Sequence, residues 1–453
     1  MYKYLLILRY LRKRRIAWWS LAAVTLCTTM VLVVFSVMGG WLRQYREVYR
    51  GMSGDIAIRS DGWTGFEHYE KVLGRLREDP DVQAATPVIQ TFALFRIGRG
   101  SPRGIQVWGL RDDVREVNRW AESLHLRKDR RSGLFDLRDD IAYRDYVPPG
   151  LAEFADRWDG MIVGVGVVGL RRGLKQEPRR PEVLYRLPVR LTLLPINPGG
   201  SIVDVKDKVE ASFWVVDDSH TQAGIYDANV VYVAFDKLQK MLDMEGRTSQ
   251  VQVRLRSGAD LYAARDRIEK MVSAVFLEEG FGLEDGIPRV QTWMEANAEF
   301  IGAVERERLM VTILFGIISV VAIVLIFCIF YMIVKEKTRD IGILKSVGAS
   351  DAGVAGVFVG YGAALGIVGA AAGLLLGWLI VRNINELHDW VARTFNVEIY
   401  RAETYIFDSI PSRMDPTEAA VIVTIAVVAS VAGSLIPAWM AARMQPVESL
   451  RSE

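Results

Sequence analysis

Four stretches of this 453-residue chain run for more than 20 residues without a single Asp, Glu, Lys or Arg. They lie between Arg15 and Arg43, Arg308 and Lys335, Asp351 and Arg382, and Glu418 and Arg443. A helix rises about 1.5 Å per residue, so about 20 apolar residues cover the hydrocarbon of a bilayer. A buried soluble helix reaches that length once; four such runs are read as membrane spans. The predicted fold class is a polytopic α-helical membrane protein with four transmembrane helices. A large mixed α+β periplasmic domain is inserted between helices 1 and 2.

The predicted spans are 16–40, 309–334, 352–381 and 418–437. Between them lie the domain with helical stalks (41–308), a polar segment (335–351) and a loop (382–417), with a tail at 438–453. The first stretch follows a basic start, as a secretion signal does. Its apolar run is too long for an h-region and lacks a small-residue cleavage site, so it is read as a retained span. Residues 1–15 are read as an amphipathic segment along the inner membrane surface. The two cysteines, Cys27 and Cys328, both fall within spans, which excludes a disulfide framework for the outer domain.

Orientation follows from the bases in short segments. Residues 1–15 carry six Lys and Arg and no acid, and Lys335, Lys337, Arg339 and Lys345 add four. The 382–417 loop carries four bases against six acids. Both termini and the Lys335 segment are therefore predicted to be cytoplasmic, and the large domain to lie on the outer side of the membrane.

Within that domain, Val251, Val253 and Leu255 alternate with Gln252, Arg254 and Arg256, as a half-buried strand does. Leu261, Ala264, Ile268, Met271 and Val275 then recur at helical spacing. Asp55–Arg59 and Val82–Val88 flank a helix marked by Phe66, Tyr69, Leu73 and Leu76. These strand–helix–strand units predict a ferredoxin-like subdomain built from the domain's two ends. Ile105–Leu110, Met161–Val168, Val189–Ile196 and Val230–Phe235 are further strands. Arg111–Asp159 and Arg171–Arg190 are read as insertions or long loops whose charges face solvent. Trp41, Tyr45 and Val48 extend the first span outward; Trp293, Ala296, Phe300, Ala303 and Val304 keep helical spacing into the second.

No chemistry stands out. A phosphate-cradling loop needs a Gly-Lys pair, and none occurs. Gly164, Gly166 and Gly169 form a G-x-G-x-x-G pattern with no nucleotide-binding unit around it, and are read as a glycine-rich strand and turn. His68, His125, His220 and His388 are scattered singly, without metal-ligand spacing. No ionisable residue interrupts the spans to carry protons or ions. Catalytic, cofactor and metal residues are all expected to be absent, and near-neutral charge gives no sign of nucleic acid. Gly362, Gly366, Gly369, Gly373 and Gly377 form one small-residue stripe on the third span. It is read as packing against the second or fourth span of the same chain rather than as a subunit contact.

Three stretches carry a resemblance. Val334-Lys-Glu-Lys-Thr-Arg-Asp-Ile-Gly-Ile-Leu-Lys-Ser-Val-Gly-Ala-Ser350 resembles the cytoplasmic coupling segment of FtsX-like ABC permeases, and Pro437–Arg451 resembles their terminal signature. Leu8–Arg12, Phe35–Gly40, Val290–Trp293 and Glu305–Met310 resemble the lipoprotein-releasing branch. Near Tyr226–Val233 the outer domain is similar to the family's second, MacB-type periplasmic subdomain.

The resemblance implies a mechanotransmission machine: a dimer with a second permease copy or paralogue, each docking a cytosolic ATPase that holds ATP and Mg. This chain would itself be non-catalytic and bind no cofactor. Coupling then falls to Lys337, Arg339, Asp340, Ile341, Gly342, Ile343, Leu344, Lys345 and Gly348. Acyl chains are expected to meet Val34, Met38 and Trp41 of the first span and Phe300, Val304, Leu309 and Ile313 of the second. A periplasmic carrier or effector would receive the load. The apolar side of Ile341, Ile343, Leu344 and Val347 suits docking in a protein groove, or else lying on lipid. Lipoprotein release is the leading function. Export of small amphiphiles or peptides, or signalling to an external cell-wall hydrolase, are the alternatives.

Overall fold

The computed structural model describes residues 15–137 (apart from 61, 63, 99, 130 and 132), 158–169, 184–185, 188–193, 208–221, 224–281, 287–395 and 409–445. The expected inner-surface segment, residues 1–15, lies outside them except for Arg15. The chain divides into two compact units. One comprises Gln44–Ile301 and Glu398–Ser409, the other Met1–Arg43, Gly302–Val397 and Ile410–Glu453. Helix α1 (Arg15–Ser53) contributes to both.

In the Gln44–Ile301 unit the described strands are β1 (Ile56–Arg59), β2 (Val82–Ile97), β3 (Arg103–Leu110), β4 (Asp159–Gly164), β5 (Pro188–Leu193), β6 (Val209–Ser219), β7 (Val230–Ala234), β8 (Gln250–Leu255) and β9 (Arg289–Thr292). The helices among them are α2 (Tyr69–Glu78), α3 (Val114–Val117), α4 (Gly224–Asn229), α5 (Phe235–Met241), α6 (Leu261–Glu278) and α7 (Trp293–Ala296).

Four neighbours, β9–β1–β8–β2, pair antiparallel, with α2 joining β1 to β2 and α6 joining β8 to β9. This is the predicted split β-α-β arrangement. The alternation is its cause: Ile56, Ile58, Val251, Val253 and Val290 point to one face, where Val72 and Leu76 of α2 and Ile268 and Val272 of α6 cover them. Each such buried side chain stabilises the unit by about 1.5–3 kcal/mol. Asp260 starts α6 by accepting from the amides of Tyr262 and Ala263, both at 3.0 Å.

β2 runs nine residues past Val88, the predicted end, and joins a second structure. Its later residues pair with β3 and β5, and the circuit β2–β3–β7–β4–β6–β5 returns to β2 as a closed six-stranded barrel. Closure leaves none of the six strands as a bare edge. β6, absent from the sequence reading, is hidden there by its charges. Asp217 and Asp218 are wholly buried. Asp217 accepts from the amides of Leu126 (2.9 Å), Arg127 (2.8 Å) and Asp218 (2.8 Å).

The expectation that charges of 111–159 face solvent fails at Arg127, which is 3% exposed. Its guanidinium donates to the carbonyls of Gly133 (2.6 Å), Leu134 (3.0 Å) and Asp136 (2.5 Å). Backbone acceptors, not water, solvate the charge. Residues 130, 132, 138–157, 171–183, 186 and 187 of the expected insertions lie outside the described residues.

The helical spacing of Trp293 to Val304 predicts one rod, but the structure breaks it. Thr292 and Glu295 form a capping box around α7, and the Asn297 side chain donates to the Trp293 carbonyl at 2.7 Å. That competing bond ends the turn, and α8 (Ala298–Glu336) starts afresh.

The other unit holds most of α8, then α9 (Thr338–Ser346), α10 (Asp351–Arg382), α11 (Ile384–Phe395) and α12 (Pro416–Ala442). With α1, the helices α8, α10 and α12 are long and apolar enough to cross a membrane. The 382–417 segment, expected as a loop, contains α11.

The glycine stripe is divided between two neighbours. A Cβ on Gly362 or Gly366 would meet Ser434 (2.4 Å) or Ser430 (2.8 Å) of α12. On Gly369, Gly373 or Gly377 it would meet Val24 (2.8 Å), Thr28 (2.7 Å) or Leu32 (3.2 Å) of α1. Three of the five thus face the first span, where the second or fourth was expected. The threonines of α1 explain the choice. Thr25 and Thr29 donate to the carbonyls of Gly369 (3.2 Å) and Gly373 (3.1 Å), side-chain bonds that tie α1 to the glycine face of α10.

Candidate functional site

The turn between α8 and α10 is built around Lys345. Its side chain, 11% exposed, lies 2.8 Å from Asp351 and donates to the carbonyls of Ala442 (2.6 Å) and Met444 (2.8 Å). Those carbonyls end α12, where a helix leaves acceptors unpaired and its dipole favours a cation. One ammonium thus binds α9 to the first turn of α10 and the last of α12. Ile341 adds an apolar anchor, packed with Val334, Phe358, Ala438 and Ala441. Gly348, at φ +102°, reverses the chain after α9, a conformation that suits glycine.

The nine expected coupling residues therefore separate. Ile341 and Gly342 are buried and Lys345 is turned inward. Lys337, the residue just before α9, pairs with Asp340 in its first turn. Arg339 and Gly348 are exposed, Leu344 is half-buried, and Ile343 is 47% exposed. Val347 is 84% exposed. The apolar side foreseen as one surface is two: Ile341 seals α9 to its own spans, while Ile343 and Val347 remain open. Sequence spacing alone does not say which side the spans would claim.

The residues expected to face substrate also separate. Val34, Met38 and Trp41 are half-buried on α1, and Leu309 and Ile313 are exposed on α8. Val304 is buried, and Phe300 stacks on Tyr45 with ring centres 4.1 Å apart. Phe35, quoted above only within a motif, lies 5.8 Å from Phe315 and joins α1 to α8. Beside them Met310, Leu314 and Ile317 continue the open apolar face of α8.

The G-x-G-x-x-G turn has its amides occupied. Gly166 and Val167 both donate to the Asp227 carbonyl, at 2.8 and 3.1 Å, so they are turned to the protein's own backbone rather than to a phosphate. Among the described residues, no three His, Cys, Asp or Glu side chains gather as a metal site requires.

Residues 312–446, from α8 to just past the end of α12, match the family model described as FtsX-like permease C-terminal. That match covers the Lys345 turn and three of the four long helices. Residues 312–446 thus carry an FtsX-like permease domain. The chain is 24% identical over 456 residues to the lipoprotein-releasing system transmembrane protein LolC of Xylella fastidiosa strain Temecula1. It is 26% identical over 459 residues to LolC of Neisseria meningitidis serogroup B. Both alignments cover 98% of the permease and 98% of the relative. LolE of Haemophilus influenzae is 29% identical over 121 residues, 27% of the permease and 29% of that protein. Among solved structures, the periplasmic region of MacB from Actinobacillus actinomycetemcomitans is similar at a TM-score of 0.31 and 8% identity, covering 55% of the permease and 93% of that chain.

Proposed function

We propose that this permease is the membrane subunit of an ATP-driven machine that lifts lipoproteins from the outer leaflet of the bacterial inner membrane. Both termini and α9 lie in the cytoplasm, and the Gln44–Ile301 unit lies in the periplasm. A separate cytosolic ABC ATPase, carrying ATP and Mg, docks on Arg339, Ile343 and Val347. A second permease, copy or paralogue, completes a dimer, and a periplasmic carrier takes the released lipoprotein.

The observation that carries this reading is the Lys345 tie. A push on the exposed side of α9 has no slack to absorb it, because the buried side is fixed to two spans at once. Work done at the inner face would therefore move whole helices. The names of relatives that align from end to end support the choice of substrate. The open apolar side chains of α8 offer a surface that acyl chains can lie against, and Met38 lies on α1 one turn beyond Phe35, which meets Phe315 of α8.

Photo-crosslinking from Met38 in living cells tests the function. An acylated protein trapped there, in amounts that fall when ATP is depleted, is the expected result. Trapping of an external hydrolase with no acylated protein would overturn lipoprotein release in favour of signalling.

A further inference from the structure

The helix α11 belongs to neither the coupling turn nor the substrate face, and its two sides differ. One side is fixed to the protein. The Asn385 side chain accepts from the Ile410 amide at 2.9 Å and donates to its carbonyl at 3.3 Å. His388, one turn on, is 7% exposed. The strap that follows is itself held, with Ser412 donating to the Val381 carbonyl (3.1 Å) and the Arg413 amide to the Ser36 carbonyl (3.1 Å). A Cβ on Gly40 would lie 2.9 Å from the Pro411 carbonyl oxygen, so the strap rests directly on α1.

The other side is open and apolar. Leu387, Trp390 and Phe395 are 43%, 59% and 65% exposed. At 100° per residue they share an arc with Ile384 and Val391, while Glu386, Asp389 and Arg393 gather opposite. Only Asn383 separates α11 from α10, whose last turns expose Leu375, Leu376, Trp378 and Leu379. That face of α10 is a membrane-spanning surface, so α11 begins where hydrocarbon gives way to headgroups. A short amphipathic helix at that depth, with a Trp on its apolar arc, matches an interfacial helix.

From this we infer that α11 lies in the headgroup layer of the leaflet opposite α9, its Leu387–Trp390–Phe395 arc seated on lipid. Two acids against one base on the helix mean that apolar burial, not attraction to anionic lipid, holds it there. Through Asn385 the seat fixes the height of the strap on α1. This goes beyond the proposed function: it needs the spans, but neither the ATPase nor the substrate.

The test is spin labelling of the full chain in phosphatidylethanolamine–phosphatidylglycerol nanodiscs. Single cysteines replace Leu387, Trp390, Glu386 or Arg393 in a Cys27→Ser, Cys328→Ser background. Labels at Leu387→Cys and Trp390→Cys are expected to collide several-fold more with oxygen than with a water-soluble nickel chelate. Labels at Glu386→Cys and Arg393→Cys should show the reverse. Equal chelate access at all four positions would overturn the inference. So would protection of 387 and 390 from both reagents, which would mean that protein covers the arc.

Discussion

The Lys345 ammonium reaches the carbonyl of Ala442 at 2.6 Å, joining a nine-residue helix to the end of a span 97 positions further along the chain. Replacing it by Met keeps the stem and removes the donor. The carbonyls of Ala442 and Met444 then lose a charged partner, which costs about 2 kcal/mol. Thermal unfolding of the purified permease in detergent should show a lowered midpoint for Lys345→Met. Ile343→Asp, on the open side, should leave the midpoint unchanged.

Close approach of α10 to α1 depends on the missing side chain at Gly373. A Cβ there would come within 2.7 Å of the Thr28 Cβ and 2.9 Å of the Thr25 carbonyl oxygen. Gly373→Val should therefore destabilise by about 1–3 kcal/mol through forced separation of the helices. Gly316, on α8, has no atom within 4 Å of its would-be Cβ. Gly316→Ala is the neutral control in the same unfolding assay.

In the Gln44–Ile301 unit, Arg127 distinguishes a fork from a point charge. Its guanidinium meets three carbonyls that lysine cannot reach together. Arg127→Lys should cost about 2–3 kcal/mol, measured as a loss of urea resistance with an unchanged slope. A variant as stable as the wild type would show that the carbonyls do not need the fork.

Asp113 gives the unit a pH dependence. Burial pushes its carboxyl up from the usual range, opposed by the bond it accepts from Thr86 and by nearby Arg111. A raised acid adds stability that is full below the unfolded value of about 3.9 and is lost as pH rises through the folded one. Asp113→Asn keeps an acceptor for Thr86 without the charge. Its stability relative to wild type should therefore rise between pH 4 and pH 7. A fall over that range would mean that the ionised form is the favoured one.

Much of this architecture was legible from sequence, and where it was not, a competing interaction explains the gap. The spans were plain because nothing else keeps charge out of 24 to 30 residues in a row. The split β-α-β subdomain followed from period-two and helical patterns at its two ends. β6 was missed because alternation cannot reveal a strand whose buried positions include Asp217 and Asp218, solvated by backbone amides rather than water. α11 was missed because His388 and Asn385, its anchored side, read as loop residues until the strap at Ile410 is seen to hold them. In the coupling turn, the motif located the residues but not their directions. Lys345, expected as a coupling charge, also ties its own chain together through carbonyls nearly 100 residues away.

Co-purification of the ATPase tests the central claim most directly. Val347→Asp changes an 84% exposed side chain on the α9 turn and touches none of the Lys345 bonds. The permease carrying it should fold, insert and unfold at the wild-type midpoint, yet be isolated without the ATP-hydrolysing subunit proposed to accompany the wild type. Stoichiometric recovery of that subunit with both Val347→Asp and Ile343→Asp would contradict docking at α9 and, with it, the route proposed for the work.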